Sequence, residues 1–185
     1  MEFIDNRLEK VKLVPRAMRS YVMTLYELIC EIRPENVLEI GVQRGQSTKA
    51  ILLAMAMIRH GHLTSVDHKD RSGLLNDIEH KDLEPYWTFV HGNSHLEETK
   101  NQVLKGYDIL FLDGDHKYDG VKQDWNDYMP MVVPGGLVLM HDVTNKNEGV
   151  KDLWAEIKYE KFAFNWGRAG GGVIPGFGFV RKPMV

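Results

Sequence analysis

"YDILFLDGDHKYDGVKQDWNDYMPMVVPGGLVLMHD" occupies residues 107–142 and decides the fold. Its opening run, "YDILFLD" (107–113), is apolar and stops abruptly at Asp113, with Asp115 and His116 close behind. A short apolar run bounded by acids predicts a buried strand. The residues that follow place Val121, Trp125, Tyr128 and Met129 on one helical face. "VPGG" then turns into a second apolar run, "LVLMHD" (137–142), which again ends in a polar pair, His141-Asp142. Two strands without polar alternation, joined by a helix, predict parallel neighbours in a sheet covered on both faces, with a right-handed crossover.

The same alternation extends outward in both directions. "NVLEI" (36–40) is a short buried strand and "GVQRGQ" a glycine-bearing turn. "STKAILLAMAMIRH" predicts a helix with Ser47 as N-cap, running to Gly61. "HLTSVD" (62–67) is the second strand, "SGLLNDIEHKDL" a short helix and "WTFVHG" (87–92) the third strand. "SHLEETKNQVLK" predicts a helix opened by a Ser-x-x-Glu capping box. After residue 142, "GVKDLWAEIKY" is helical, and "KFAFNW" and "GFGFVRK" pair as antiparallel strands across "GRAGGGVIPG". Ahead of the first strand, Met18, Tyr21, Val22, Leu25, Leu28, Ile29 and Ile32 share one face of a helix that Arg33-Pro34 ends. No repeat or linker divides the chain, so one domain is expected over 1–185, with an N-terminal extension (1–15) and a leading helix (16–34).

Composition bounds the function. The chain has 185 residues, a net charge of -3, 43% hydrophobic and 26% charged residues. That is an ordinary globular balance, with neither the basic footprint of a nucleic-acid binder nor that of a membrane-surface protein. The single cysteine, Cys30, excludes an internal disulfide and a Cys-rich zinc site, and its setting "YELICEI" predicts a core position. No run is long enough for a membrane helix. "MEFIDNRLEKVK" lacks the apolar stretch of a signal peptide. A cytoplasmic protein is expected.

The predicted strands carry polar residues at one end. They finish in Glu39 and Gly41, in Asp67-His68, in His91-Gly92-Asn93, in Asp113 with Asp115 and His116, and in His141-Asp142. Open α/β sheets bind ligands outside the carboxyl ends of their strands. Turn-forming Asp and Asn explain two or three of these positions. They do not explain four histidines at one rim.

In "EIGVQRGQS" (39–47), Gly41 and Gly45 allow a tight turn and close approach of a ligand, and the following helix aims its free N–H groups at that ligand. The spacing is Gly-x-x-x-Gly, with Gln43 where a dinucleotide-binding G-x-G-x-x-G has its central glycine. This argues against a nicotinamide cofactor. Asp67 closes the second strand and can accept both hydroxyls of a ribose. Asn93 can pair with an adenine edge or form the turn before the next helix.

These residues resemble the class I S-adenosylmethionine-dependent methyltransferases. "VLEIGVQRGQST" is similar to their first motif, "VDH" to their ribose-binding acid and "HGNS" to their adenine-side loop. The string from Ile109 to Val143 is similar to a small family that includes macrolide sugar O-methyltransferases and cephalosporin-hydroxylase-like proteins, and the resemblance covers about residues 20–142. It implies a Rossmann-like, doubly wound seven-stranded α/β sheet, mostly parallel with an antiparallel last strand. The cofactor-binding positions it implies are Glu39, Gly41, Gly45, Ser47, Asp67, His68, Gly92, Asn93, Ser94 and Asp113. Many relatives hold a divalent metal, Mg or Mn, and the matching positions are Asp113, His141 and Asp142. His141 departs from the pattern, which favours a carboxylate or amide there; imidazole is softer than Mg²⁺ prefers, which leaves a different metal such as Mn²⁺, a vacant site, or His141 as a substrate contact. His116 matches the general base, with Asp115 orienting it or acting in its place; a residue that begins the following helix is the other reading of His116.

The activity implied is O-methylation of a small-molecule hydroxyl. The rivals are a metal-dependent hydrolase using the same Asp/His cluster, a nicotinamide dehydrogenase, and a non-catalytic cofactor-binding module. The acceptor is not legible. The N-terminal helix and the loops 143–150 and 167–176 are the segments that can cover it, with Trp166 beside the second loop. Relatives with larger acceptors often complete their sites by oligomerising, which makes a homo-oligomer an expectation.

Overall fold

The structure, a computed structural model, describes residues 16–76, 80–145, 149–164, 168–169, 172–173 and 176–184. The N-terminal extension, Trp166 and half of the 167–176 loop lie outside the described residues. The strands are β1 (Asn36–Ile40), β2 (His62–Asp67), β3 (Trp87–His91), β4 (Tyr107–Leu112), β5 (Val132–Met140), β6 (Lys161–Phe164), β7 (Arg168–Ala169), β8 (Gly172–Val173) and β9 (Phe177–Arg181). The α-helices are α1 (Arg16–Ile32), α2 (Gln46–Ile58), α3 (Glu97–Lys100), α4 (Tyr118–Tyr128) and α5 (Val150–Glu156).

Seven strands form one sheet in the order β3-β2-β1-β4-β5-β9-β6, and β7 pairs with β8 separately. β1 to β5 are mutually parallel. β9 runs antiparallel to both β5 and β6. The sequence thus encodes a doubly wound sheet with an antiparallel last strand, and the "KFAFNW"/"GFGFVRK" pairing is observed from Lys161↔Val180 to Phe164↔Phe177. The order reverses at β1/β4, where a doubly wound sheet opens its ligand crevice.

Side-chain alternation divides the core in two. Ile109 and Phe111 of β4 join Val37, Leu63, Leu139 and Phe177 on one face, packed by α1 (Tyr21, Leu25, Ile29) and α2 (Ile51, Leu52, Met55). Leu110 and Leu112 join Leu38, Ile40, Val138 and Met140 on the other, packed by α4 (Val121, Tyr128) and α5 (Val150, Leu153). Each fully buried side chain contributes about 1.5–3 kcal/mol of transfer free energy, so covering both faces is what stabilises the strands. Ile32, expected on the buried stripe of α1, is exposed at the helix end, and Cys30 is half-buried.

Several local expectations are corrected. Ser47 is not the N-cap of α2: Gly45 takes that position in a left-handed conformation, φ 73°. The Ser94–Glu97 capping box is absent, since the N-cap of α3 is Leu96 and Ser94 spends its hydroxyl elsewhere. α2 ends at Ile58 with left-handed Arg59, ahead of Gly61. "SGLLNDIEHKDL" yields two short 3₁₀ segments, Ser72–Leu75 and Lys81–Tyr86. "VPGG" is not a turn before β5 but an irregularity inside it. Tyr107 pairs with Val132, yet Ile109 pairs with Leu137. Gly135 and Gly136 exchange backbone hydrogen bonds with Lys182, so this stretch is held in the sheet.

Candidate active site

A cleft of about 740 Å³ opens at the carboxyl ends of β1 to β5. Of the residues singled out in the sequence, Gly41, Asp67, His68, Gly92, Asn93, Ser94, Asp113, Asp115, His116, His141 and Asp142 line it. Glu39, Gly45 and Ser47 do not.

Glu39 stands behind the wall, fully buried. It accepts hydrogen bonds from Ser47 (2.6 Å), Thr48 (2.7 Å) and Ser65 (2.7 Å) hydroxyls. Trp87 Nε1 in turn donates to Ser65 Oγ at 3.0 Å. Burial pushes the Glu39 carboxyl up to about 7, against these three hydroxyl donors. The arrangement fastens β1, β2 and the start of α2 together beneath the Gly41–Gly45 loop. Glu39 and Ser47, expected among the cofactor-binding residues, thus support the loop from below and are not part of the cleft wall.

The loop itself depends on two glycines. Gly41 has φ 96°, and a Cβ there would lie 2.2 Å from the Asp113 carbonyl oxygen. Only glycine lets β1 pass this close to β4 at the switch point. Gly45, φ 73°, is packed against Leu74. Asp67 holds the loop from the β2 side: Oδ2 accepts the Val42 and Gln43 N–H groups at 3.0 and 2.9 Å, and Oδ1 accepts that of Lys69 at 2.8 Å. Burial opposes its charge, but these backbone donors hold its pKa below the usual carboxylate range. His68 is largely exposed beside it, Nδ1 lying 3.5 Å from Asp67 Oδ1.

After β3, Asn93 Oδ1 accepts the His95 N–H at 3.0 Å, a local turn of the kind Asn forms before a helix. Ser94 Oγ donates to Asp124 Oδ1 at 2.7 Å, and Tyr128 Oη donates to the Ser94 carbonyl at 2.7 Å. Gly92 packs on Thr99 Oγ1, which lies 2.3 Å from where a Cβ would stand.

The opposite side is a knot of two acids and two imidazoles. His141 Nδ1 lies 3.3 Å from Asp113 Oδ1 and 3.1 Å from Asp142 Oδ2. His116 bridges the same pair, Nε2 3.2 Å from Asp113 Oδ1 and Nδ1 3.3 Å from Asp142 Oδ2. Burial opposes the charge on His141, but hydrogen bonds to Asp113 and Asp142 push its pKa up to about 10. Burial likewise opposes the charge on Asp113, and His116 and His141 outweigh it, leaving that pKa below the ordinary value. Asp142 adopts φ 63° without being glycine, a strained backbone that costs of order 1 kcal/mol or more. Its Oδ1 is buried without a hydrogen-bond partner. Ligand atoms of Asp113, His141 and Asp142 all lie within 4.8 Å of one another. Asp115 sits at the mouth, its Oδ1 accepting the Lys117 N–H at 2.9 Å ahead of α4.

Tyr21 and His95 on the cleft wall, and Asp124 behind it, are among the residues not singled out for the site. Tyr21 crosses from α1 to line the cleft, its ring centroid 4.5 Å from that of His141. In the sequence it was legible only as one of the apolar-face residues of that helix. His95 also lines the cleft, one position beyond "HGNS". Asp124 lies in the middle of α4, eleven positions after Asp113, and nothing local distinguishes it from a solvated helix acid.

Sheet order, crevice and the acids at its rim define a Rossmann-like methyltransferase fold. The chain is similar to the O-methyltransferase from Bacillus cereus solved in complex with SAH (TM-score 0.71, 18% identity, 96% of this chain and 91% of that one). It is also similar to the O-methyltransferase TomG from Streptomyces achromogenes, involved in tomaymycin synthesis and solved with SAM (TM-score 0.69, 16% identity, 96% and 90% covered). At these identities the likeness is one of fold. Residues 38–143 match the family model described as a methyltransferase domain, and the chain belongs to that family. Among curated proteins it is 28% identical over 145 residues to the uncharacterized protein y4gI of Sinorhizobium fredii (strain NBRC 101917 / NGR234), covering 70% of this chain but 16% of that protein. The chain thus spans about a sixth of that relative's length. Among the described residues no helix is long and apolar enough to cross a membrane.

Proposed function

We propose that this domain transfers a methyl group from S-adenosylmethionine to the hydroxyl of a small molecule, assisted by a divalent metal ion. The observation that carries the reading is the convergence of Asp113, His116, His141 and Asp142 within hydrogen-bonding distance, on the wall of one cleft with Gly41 and Asp67. The cleft has the size of a small-molecule site.

The residues suit both groups. On the cofactor side, the side-chain-free Gly41 lets the loop approach a ligand. Asp67 uses three backbone donors out of about four acceptor sites, which leaves capacity for a ribose hydroxyl. On the metal side, Asp113, His141 and Asp142 would hold the ion. The unpartnered Asp142 Oδ1 is a buried acceptor that lacks a cation or donor. One imidazole and two carboxylates form a donor set better suited to Mn²⁺ than to Mg²⁺. When bound, S-adenosylmethionine supplies an activated methyl group and a divalent ion supplies a Lewis acid that acidifies a hydroxyl.

This chain's own contribution is positioning and proton handling. The Gly41 loop and Asp67 orient the donor against the rim, as an in-line displacement requires. His116, partly exposed at the cleft mouth, accepts the acceptor's proton once one ring nitrogen is released from its carboxylate. Asp115, at the same mouth, orients that step. The test is transfer of label from methyl-labelled S-adenosylmethionine to a panel of phenols, sugars and aliphatic alcohols, with Mn²⁺, Mg²⁺ or a chelator. Labelled ether product that disappears with chelator is expected. Phosphate or ester hydrolysis without any methyl transfer would replace this reading by the hydrolase.

A further inference from the structure

Asp124 is a buried carboxylate, 1% exposed, that the chemistry above does not use. It sits on α4, outside the run of rim residues at the strand ends, and yet it touches both loops that close the adenine side of the cleft. Its Oδ1 accepts the Ser94 hydroxyl at 2.7 Å and lies 3.1 Å from His95 Nε2. Its carboxylate also accepts the backbone N–H of Asp115. Gly114 permits that approach, since a Cβ there would lie 3.1 Å from Asp124 Oδ2. One turn further along the same helix face, Tyr128 Oη donates to the Ser94 carbonyl at 2.7 Å. Ser94, His95, Gly114 and Asp115 all line the cleft; Asp124 does not.

We propose that Asp124 is a positioning residue for the adenosyl group: it clamps the 93–95 loop to the 113–116 loop and so fixes the width of the slot that takes the adenine. The inference rests on the methyltransferase reading and deepens it. A carboxylate is suited to the task because it accepts from several donors at once. It can therefore serve Ser94 and Asp115, which come from different strand ends, with His95 Nε2 placed beside it. α4 is the right support, since it packs on the sheet through Val121 and Tyr128 and presents Asp124 and Tyr128 one helical turn apart.

The test is calorimetric binding of S-adenosylhomocysteine and of 5′-methylthioadenosine, which lacks the amino-acid tail, to the wild-type chain and to Asp124→Ala, Asp124→Asn and Ser94→Ala. Thermal melting reports folding in parallel. Asp124→Ala is expected to weaken both ligands by the same factor, about tenfold, the weight of one lost hydrogen bond to a charged acceptor. Asp124→Asn, which keeps an acceptor for Ser94, is expected to recover most of it. A folded Asp124→Ala that binds both ligands as the wild type does, or weakens only the ligand with the tail, overturns the clamp. Should Asp124→Ala not fold, Ser94→Ala decides, and unchanged affinity there overturns it equally. If the wild-type chain binds neither ligand, the methyltransferase reading falls first and takes the clamp with it, a result separable from the others because no substitution is involved.

Discussion

His141 Nδ1 stands 3.3 Å from Asp113 Oδ1, joining the ends of two neighbouring parallel strands. β4 delivers the acid and β5 the imidazole, at the same height because Leu112 pairs with Met140. In the absence of metal this contact is an ion pair.

Burial disfavours the His141 charge, but Asp113 and Asp142 prevail and its pKa is raised to about 10. A histidine raised above its ordinary value stabilises the folded state fully below about 6.5, and that stability is lost as pH rises through about 10. The metal-free chain should therefore lose urea resistance across that window. Metal requires neutral imidazole, so Mn²⁺ binding at pH 7 should release close to one proton. Calorimetry in two buffers of different ionisation enthalpy reads this directly, and buffer-independent heats would contradict it.

Glu39 acts in the same direction at lower pH. Burial raises its pKa to about 7, so the folded state holds a proton that the unfolded chain releases near 4.3. Stability should fall as pH rises from about 4.3 to about 7 and then level off. Glu39→Gln should flatten that slope. Glu39→Ala should cost about 2–4 kcal/mol, because three hydroxyls lose their acceptor inside the core. Denaturant midpoints at pH 5 and pH 8 for the three proteins check both statements.

The support of the loop by Glu39 and Ser47 also shows where sequence reading stops. The strand ends, the Gly41 turn and the His-Asp pair were legible because each is a local pattern: an apolar run broken by polar residues, or a glycine after a strand. Ser47 has the residue type of an N-cap, yet Gly45 takes the cap and Ser47 turns to Glu39, a preference decided by a partner eight residues away. "VPGG" looks like a turn, but pairing with Lys182 holds it in β5. Tyr21 and Asp124 reach the site across the fold, from helices whose own patterns show only which face is buried. Contacts of that range depend on how helices settle on the sheet, which periodicity does not encode.

Gly41→Ala should be far more damaging than its size suggests. It places a methyl 2.2 Å from the Asp113 carbonyl and forces φ 96° on a residue with a Cβ. Loss of more than about 1 kcal/mol of stability is expected. Cofactor affinity should fall with it, because Asp113 must move. Melting temperature and S-adenosylhomocysteine affinity measured together would expose an error if either stayed at the wild-type value.

His116→Ala should separate binding from chemistry. His116 lies between Asp113 and Asp142 and makes its contacts there, so S-adenosylhomocysteine affinity should be retained. Methyl transfer should drop by about 10²-fold or more, the usual weight of a general base. Single-turnover rates on the acceptor found by the label-transfer panel provide the check, and full turnover in a variant that binds cofactor normally would remove His116 from the chemistry.

The most direct measurement is calorimetric titration of the wild-type chain with S-adenosylhomocysteine and, separately, with Mn²⁺, repeated on the double variant Asp113→Ala/Asp142→Ala. The account predicts saturable one-site binding of both to the wild type, with Mn²⁺ binding lost in the double variant. A wild-type chain that takes up Mn²⁺ but no S-adenosylhomocysteine under any condition would contradict it.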